Sequence, residues 1–379
     1  MKLYEHEAAD ILAGIGIPVP EHFVVSTAEE AGAAAVHLAG PVVVKAQVLA
    51  GGRGLAGGVK RADTPVEARA AAEAILGSTI HGFPVEKVLV ARQVEIAREL
   101  YLGVTVDGYA GKPVVVACAE GGVSIEEVAA RSPGNIASTH VNVARGLFAY
   151  EARALLWRAG FPPAKIAACA DILVKLFRVF TRWNALIAEI NPLAVCRDGS
   201  VMALDVKLEL DDSALSRMEN RLPRRREEPL NPLERKASEI GVTYVDLDGD
   251  IGIIASGAGL GMATMDIIGR KLRPANFLET GGGITEDLLY RTMELIMMKP
   301  GLRAVFINLY GGINPIHEGA RGIVRYLREH NVSIPVVAKA LGNRQEETWE
   351  ILRSGGVHVV TETATESAVE KLFELLRSS

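Results

Sequence analysis

Ile251-Gly-Ile-Ile-Ala255 runs into Ser256-Gly-Ala-Gly-Leu-Gly261, Asn276-Phe-Leu278 into Glu279-Thr-Gly-Gly-Gly283, and Ala304-Val-Phe-Ile-Asn308 into Leu309-Tyr-Gly-Gly-Ile-Asn314. In each case a short apolar run leads into a glycine loop, and a helical pattern follows. A glycine-bearing turn from strand to helix exposes backbone N–H groups and the positive end of a helix dipole, which suits phosphate or carboxylate. Further strand-like runs at 334–339 and 357–360 continue the βα alternation. Residues 251–360 therefore read as a doubly wound parallel sheet whose glycine loops open on one carboxyl edge. The GAGLGM stretch approximates a dinucleotide fingerprint, but its third glycine falls on Met262, which disfavours an NAD dehydrogenase.

The amino-terminal half is less regular. Ser26-Thr-Ala-Glu29 and Thr64-Pro-Val-Glu67 predict capping boxes that open two Ala-rich helices, with Gly40 and Gly77 just past their ends. Between them lies an apolar strand, Val42–Val48, containing Lys45, and then the loop Leu49-Ala-Gly-Gly-Arg-Gly54. Strands are expected near 86–91, 99–106 and 113–118, a long amphipathic helix over 162–182, and a strand pair at 185–190 and 201–208. Residues 217–240, rich in Arg, Glu and Pro, read as a linker. It divides a nucleotide-type domain (1–216) from the sheet domain (241–379), and its Arg224-Arg-Arg226 reads as a solvated charge run.

With 379 residues, 49% hydrophobic content and a net charge of −5, the chain has ample core-forming sequence and no basic bias toward nucleic acid. No apolar stretch is long enough for a membrane span, and the acidic start Met1-Lys-Leu-Tyr-Glu-His-Glu has no secretory h-region. Cys118, Cys169 and Cys196 are scattered and read as reduced core thiols, consistent with a cytoplasmic protein.

Two groups carry candidate chemistry. Lys45, set inside an apolar strand before a flexible glycine loop, needs an anionic partner, and a polyphosphate is a natural one. Glu189 and Asn191 lie two residues apart on one strand, so they share a face, and Asp205 lies opposite them on the next. Two carboxylates and an amide oxygen form a hard-oxygen set suited to Mg²⁺ bridged to nucleotide phosphates. His317 opens a helix after a glycine loop and reads as a first-turn residue. No nucleophile with a matched base is evident.

The stretches MKLYEHEAADILAGIGIPVP, KAQVLAGGRGLAGGVK, ELYLGV, AEGGVSIEEVA, AEINPLAV, ALDVKLELDDSAL, GAGLGMATMD, PANFLETGGG and NLYGGINPIHEGARGIV, in that order, resemble the β subunit of succinyl-CoA synthetase, with archaeal-type features at the end. The resemblance spans essentially the whole chain. It implies an α/β protein with an ATP-grasp domain followed by a flavodoxin-like CoA-ligase domain. It also implies reversible conversion of succinate, CoA and ATP to succinyl-CoA, ADP and phosphate, through an acyl phosphate and a phosphohistidine on a partner α subunit that also binds CoA.

Carried over by motif, Lys45, Gly52, Arg53, Gly54 and Glu99 match nucleotide contacts, as do the positions of Ala91 and Val94. Asn191 and Asp205 match Mg²⁺ ligands, and Glu189 a catalytic acid. Ser256, Gly312, Ile313 and Asn314 match the substrate site. Ala91 replaces a glutamate and Val94 a polar residue, which bears on ATP versus GTP. Ser256 and Asn314 depart from the common residues, which bears on succinate versus malate or another dicarboxylate. A non-catalytic nucleotide-binding subunit is the reading from another class; the Glu189, Asn191 and Asp205 set argues against it.

Overall fold

Short polar caps and apolar alternation set most element boundaries. The computed structural model describes residues 1–217 and 231–378. The chain divides into two compact units, Met1–Glu227 and Glu228–Ser379.

The first unit begins with helix α1 (Glu5–Gly14). Strands β1 (His22–Val25), β2 (Val42–Ala46) and β3 (Val59–Ala62) join β6 (Val88–Arg92) in an antiparallel sheet ordered β1-β6-β2-β3; β4 (Thr79–Ile80) and β5 (Phe83–Pro84) form a small hairpin before β6. Helices α2 (Ala28–Leu38) and α3 (Pro65–Ile75) bury alanines against this sheet, with Val42, Val44 and Ala46 beneath them. The expected cap before α3 is present, since Thr64 accepts from the Glu67 N–H. The cap before α2 lies one residue later than expected: Thr27 pairs reciprocally with Glu30. Gly77 is left-handed as expected, but after α2 that conformation falls on Ala39 rather than Gly40.

The second sheet of this unit contains β7 (Ile96–Asp107), β8 (Lys112–Cys118), β9 (Ile136–His140), β10 (Ala185–Cys196), β11 (Val201–Ala203) and β12 (Val206–Leu210). Its order is β11-β10-β7-β8-β9, with β12 also on β10. Helix α4 (Ile125–Arg131) follows β8, and α5 (Ala149–Arg158) and α6 (Ile166–Arg182) supply the core beneath the sheet. The amphipathic helix expected over 162–182 begins at Ile166, and its apolar stripe buries Cys169, Ala170, Leu173, Phe177 and Phe180 while Ile166 is only partly buried. All three cysteines are buried and free.

In the second unit, α7 (Pro232–Ile240) precedes β13 (Thr243–Asp246). The sheet continues through β14 (Ile251–Ala255), β15 (Asn276–Glu279), β16 (Ala304–Gly311), β17 (Val336–Gly342) and β18 (His358–Val360), interleaved with α8 (Ala258–Gly269), α9 (Glu286–Met297), α10 (Ile316–Glu329), α11 (Gln345–Ser354) and α12 (Thr365–Ser378). The order is β13-β15-β14-β16-β17-β18. The five strands expected from sequence are parallel in the order second-first-third-fourth-fifth, the flavodoxin-like arrangement, and the antiparallel β13 adds an edge.

The linker expected over 217–240 needs correction at its end. Residues 232–240 form α7, because Asn231 accepts from Leu233 N–H, Pro232 suits the first turn and left-handed Gly241 ends the helix. Ala237 and Ile240 join the core of the second unit. Arg224-Arg-Arg226 lies outside the described residues. Among the described residues no helix is long and apolar enough to cross a membrane.

Candidate functional site

In the first unit a cavity of about 190 Å³ is lined by Glu5, Gly51, Gly52, Arg53, Glu189, Asn191, Asp205 and Lys207, among others. Glu5 comes from α1, Gly51–Arg53 from the loop after β2, Glu189 and Asn191 from β10, Asp205 from the break between β11 and β12, and Lys207 from β12. The register explains the convergence. Glu189 pairs with Lys207 and Ile190 with Val206, so the β10–β12 ladder ends where Asn191 N–H donates to Asp205 O at 3.0 Å. This brings the sequence-derived acids together. The chain around Gly52 has φ +71°, a left-handed turn that favours glycine, and it directs the loop back over the cavity.

Glu5 is the residue sequence reasoning missed. It is 5% exposed; its Oε1 lies 2.8 Å from Lys45 Nζ and its Oε2 2.9 Å from Arg53 Nη1. Lys45 Nζ also donates to Leu204 O at 2.6 Å. Arg53 Nη1 donates to Ala46 O at 3.0 Å, and Nη2 to Asp205 Oδ1 at 2.8 Å. Two cations and two carboxylates thus balance in charge. Burial opposes ionisation of Glu5, but the Lys45 and Arg53 charges overcome it and hold its carboxyl below the ordinary range. The signal for Glu5 in the sequence was only its place in a polar helix start.

Glu189 differs: burial raises its pKa, and Lys207 and the Asn191 amide offset this only in part. Asn191 is clamped to the turn before α4, since its Oδ1 accepts from Gly122 N–H at 2.8 Å and its Nδ2 donates to Val123 O at 2.9 Å. Glu99 lies against the same turn, for a Cβ on Gly122 would fall 2.3 Å from Glu99 Oε2. Glu99 therefore adjoins the cluster without lining the cavity. Lys45, Gly54, Ala91 and Val94 do not line it either; Lys45 reaches the cavity wall only through Glu5. Ala91 pairs with Val43 on the sheet face that carries Lys45.

As a metal site the oxygen set is small. Asp205, Asn191 and Glu189 offer hard donors, and the Arg53 guanidinium on Asp205 demonstrates that this carboxylate takes a cation. Among the described residues no cluster of three or more His, Cys, Asp or Glu has metal-binding geometry. The set fits a hard ion that brings further oxygens from phosphates and water.

In the second unit the three glycine loops open on one edge, as expected. Ser256 bridges β14 and β16, the point where strand order reverses: its Oγ donates to Tyr310 O at 3.1 Å and accepts from Tyr310 N–H at 2.8 Å. A Cβ on Gly282 would lie 3.7 Å from Asn314 Nδ2, which joins the second and third loops. Ile313 is 93% exposed. Helix α10 starts at Ile316, so Pro315 is its N-cap rather than its first residue. His317 is buried in the first turn of α10, with Nε2 2.9 Å from Arg344 Nη1.

Known proteins agree with this architecture. Residues 2–195 match the family model of an ATP-grasp domain, and residues 254–373 that of a CoA-ligase. The chain is 44% identical over 360 residues to the succinate–CoA ligase [GDP-forming] subunit beta of Thermus thermophilus, covering 95% of each. It is 43% identical over 382 residues to the [ADP-forming] subunit beta of Roseiflexus sp., covering 100% of each, and 39% identical over 378 residues to that of Methanothermobacter thermautotrophicus, again covering 100% of each. Its fold resembles ATP citrate lyase from Methanothrix soehngenii, with a TM-score of 0.69 at 18% identity over 98% of this chain and 99% of that one. The chain belongs to the succinate–CoA ligase beta-subunit family, an ATP-grasp domain followed by a CoA-ligase domain.

Proposed function

We propose that the chain is the nucleotide-binding β subunit of a cytoplasmic succinate–CoA ligase. With an α subunit it interconverts succinate, CoA and ATP with succinyl-CoA, ADP and phosphate. The observation that carries the nucleotide role is the Glu5–Arg53–Asp205 cluster in the wall of the cavity, with Lys45 paired to Glu5. In this reading Gly52 and Arg53 meet the phosphates from the cavity wall, and Lys45 and Gly54 adjoin them without lining it. Asn191 and Asp205 would hold Mg²⁺, which would neutralise phosphate charge, and Glu189 is the neighbouring acid. Ala91, Val94 and Glu99 belong to the nucleotide side of the site. The nucleotide is an adenine one in this reading, and the relatives above carry both ADP- and GDP-forming names.

The acid is held by Gly312, Ile313 and Asn314 at the start of α10, with Ser256 behind them. Ser256 Oγ is engaged by Tyr310 on both sides. Recognition of a hydroxyl-bearing acid such as malate therefore falls to Asn314 and to the one acceptor position left on Ser256 Oγ, and succinate is the first substrate. Calorimetric titration of the full chain with Mg·ADP and Mg·GDP tests the nucleotide assignment. Expected is binding of Mg·ADP in the absence of any other protein. No binding of either nucleotide would overturn the reading.

A further inference from the structure

The Arg53 guanidinium stands on a carboxylate that the proposed site needs for a metal. Its side chain is 9% exposed and that of Asp205 43%, so the guanidinium is shielded from water while the carboxylate is open to an arriving ion. A divalent ion on Asp205 and a guanidinium 2.8 Å from the same carboxylate oxygen would repel each other. A metal arriving alone must therefore displace the Nη2 end of Arg53 and leave that end without a carboxylate, while Nη1 stays on Glu5. A nucleotide arriving alone meets phosphates with the Asp205 charge beside them. Arriving together, they permit an exchange in which every charge keeps a partner: Asp205 turns to the metal, and Arg53 to a phosphate.

The hydrogen-bond inventory permits this with little motion. A guanidinium has five N–H groups. Nη1 is committed to Ala46 O and Glu5, and Nη2 alone reaches Asp205. Glu5 and Ala46 thus act as a pivot that holds one end of the group while the other changes partner. Glu5 holds Lys45 as well, whose ammonium has three donors; Glu5 and Leu204 O take two of them. Both cations retain N–H groups for phosphate while their carboxylate anchor stays fixed.

We propose that Arg53 is a positioning residue that makes metal and nucleotide binding interdependent: it pairs with Asp205 when no metal is bound and passes to the nucleotide phosphates when the metal arrives. This rests on the reading that the cavity takes a metal–nucleotide complex.

Mn²⁺ titrated into the full chain, with free ion followed by electron paramagnetic resonance, tests it with and without ADP. Expected is Mn²⁺ binding at least about tenfold tighter with ADP than without it, the size of an ordinary coupling. In Arg53→Gln, the metal-only affinity should rise by about tenfold and the ADP enhancement should shrink, as expected when a coupling residue is lost. Equal Mn²⁺ affinity with and without ADP in the parent chain would overturn the exchange while leaving the nucleotide reading intact. So would an Arg53→Gln protein that melts cooperatively with an unchanged metal-only affinity. If that variant does not fold, the two titrations of the parent chain still decide. Absence of both Mn²⁺ and ADP binding would overturn the nucleotide reading itself.

Discussion

Glu5 and Glu189 lie at one cavity and respond to it in opposite ways. Glu5 is buried between two cations, so losing its charge leaves Lys45 and Arg53 uncompensated. Removing one partner of such a buried pair costs about 3–5 kcal/mol. Glu5→Gln is therefore expected to lower the melting temperature at neutral pH. The folded protein holds this carboxyl below the ordinary value of 4.5. Its contribution is thus complete above that value and is lost as pH falls through the lowered pKa. The gap between parent and Glu5→Gln melting temperatures should close on acidification below about pH 4; a constant gap would contradict the ion-pair account.

Glu189 has a raised pKa because of burial, so its ionisation costs stability as pH climbs past the ordinary carboxylate value. Glu189→Gln should melt slightly higher than the parent at pH 7, with the difference vanishing near pH 4, while ligase activity falls. A lower melting point at pH 7 would mean that the charge is stabilising. The same reasoning revises what Lys45 does. In sequence it reads as a phosphate ligand alone, but its bond to Glu5 makes it structural as well, so Lys45→Ala should reduce both nucleotide affinity and apo stability. Calorimetry and melting curves read the two losses separately, and unchanged stability would contradict the Glu5 contact.

At the scale of elements, packing of α10 against α9 depends on the absence of a side chain. A Cβ on Gly322 would lie 2.0 Å from the backbone oxygen of Glu286, which cannot rotate away. Gly322→Ala should destabilise the second unit by at least about 1–3 kcal/mol, the ordinary cost of overpacking, and should loosen the loop that opens α10. Denaturant unfolding measures it; a midpoint within error of the parent would contradict this packing.

The parallel strands and their glycine loops were legible in sequence because each signal is local: an apolar run, glycines, then a helical period. Antiparallel β13 was not. Thr243-Tyr-Val-Asp246 is short and half exposed, and its pairing with β15 is a tertiary event. Helix α7 was hidden by charge and proline, although Asn231-Pro232 and Gly241 are start and stop signals. Of the candidate site, Lys45, Glu189 and Asp205 were legible as charges in apolar settings and Asn191 as an amide oxygen beside them, while Arg53 was assigned by the motif resemblance alone. Glu5 was not, because it sits at a polar helix start and its partners lie 40 or more residues away in sequence.

For the molecule as a whole, the proposed chemistry is divided between this chain and a partner subunit. The described residues hold cation-lined and glycine-lined anion sites, while the one buried histidine at the sheet edge, His317, is tied to Arg344. The family resemblance implies that the phosphate-accepting histidine lies on a partner α subunit. The decisive measurement is succinyl-CoA formation from succinate, CoA and Mg·ATP by the full chain, first by itself and then with a succinate–CoA ligase α subunit. The account expects no succinyl-CoA from this chain in isolation, although it binds Mg·nucleotide, and turnover once the α subunit is added. Sustained succinyl-CoA formation by the isolated chain, or none by the two together with both proteins folded, would contradict it.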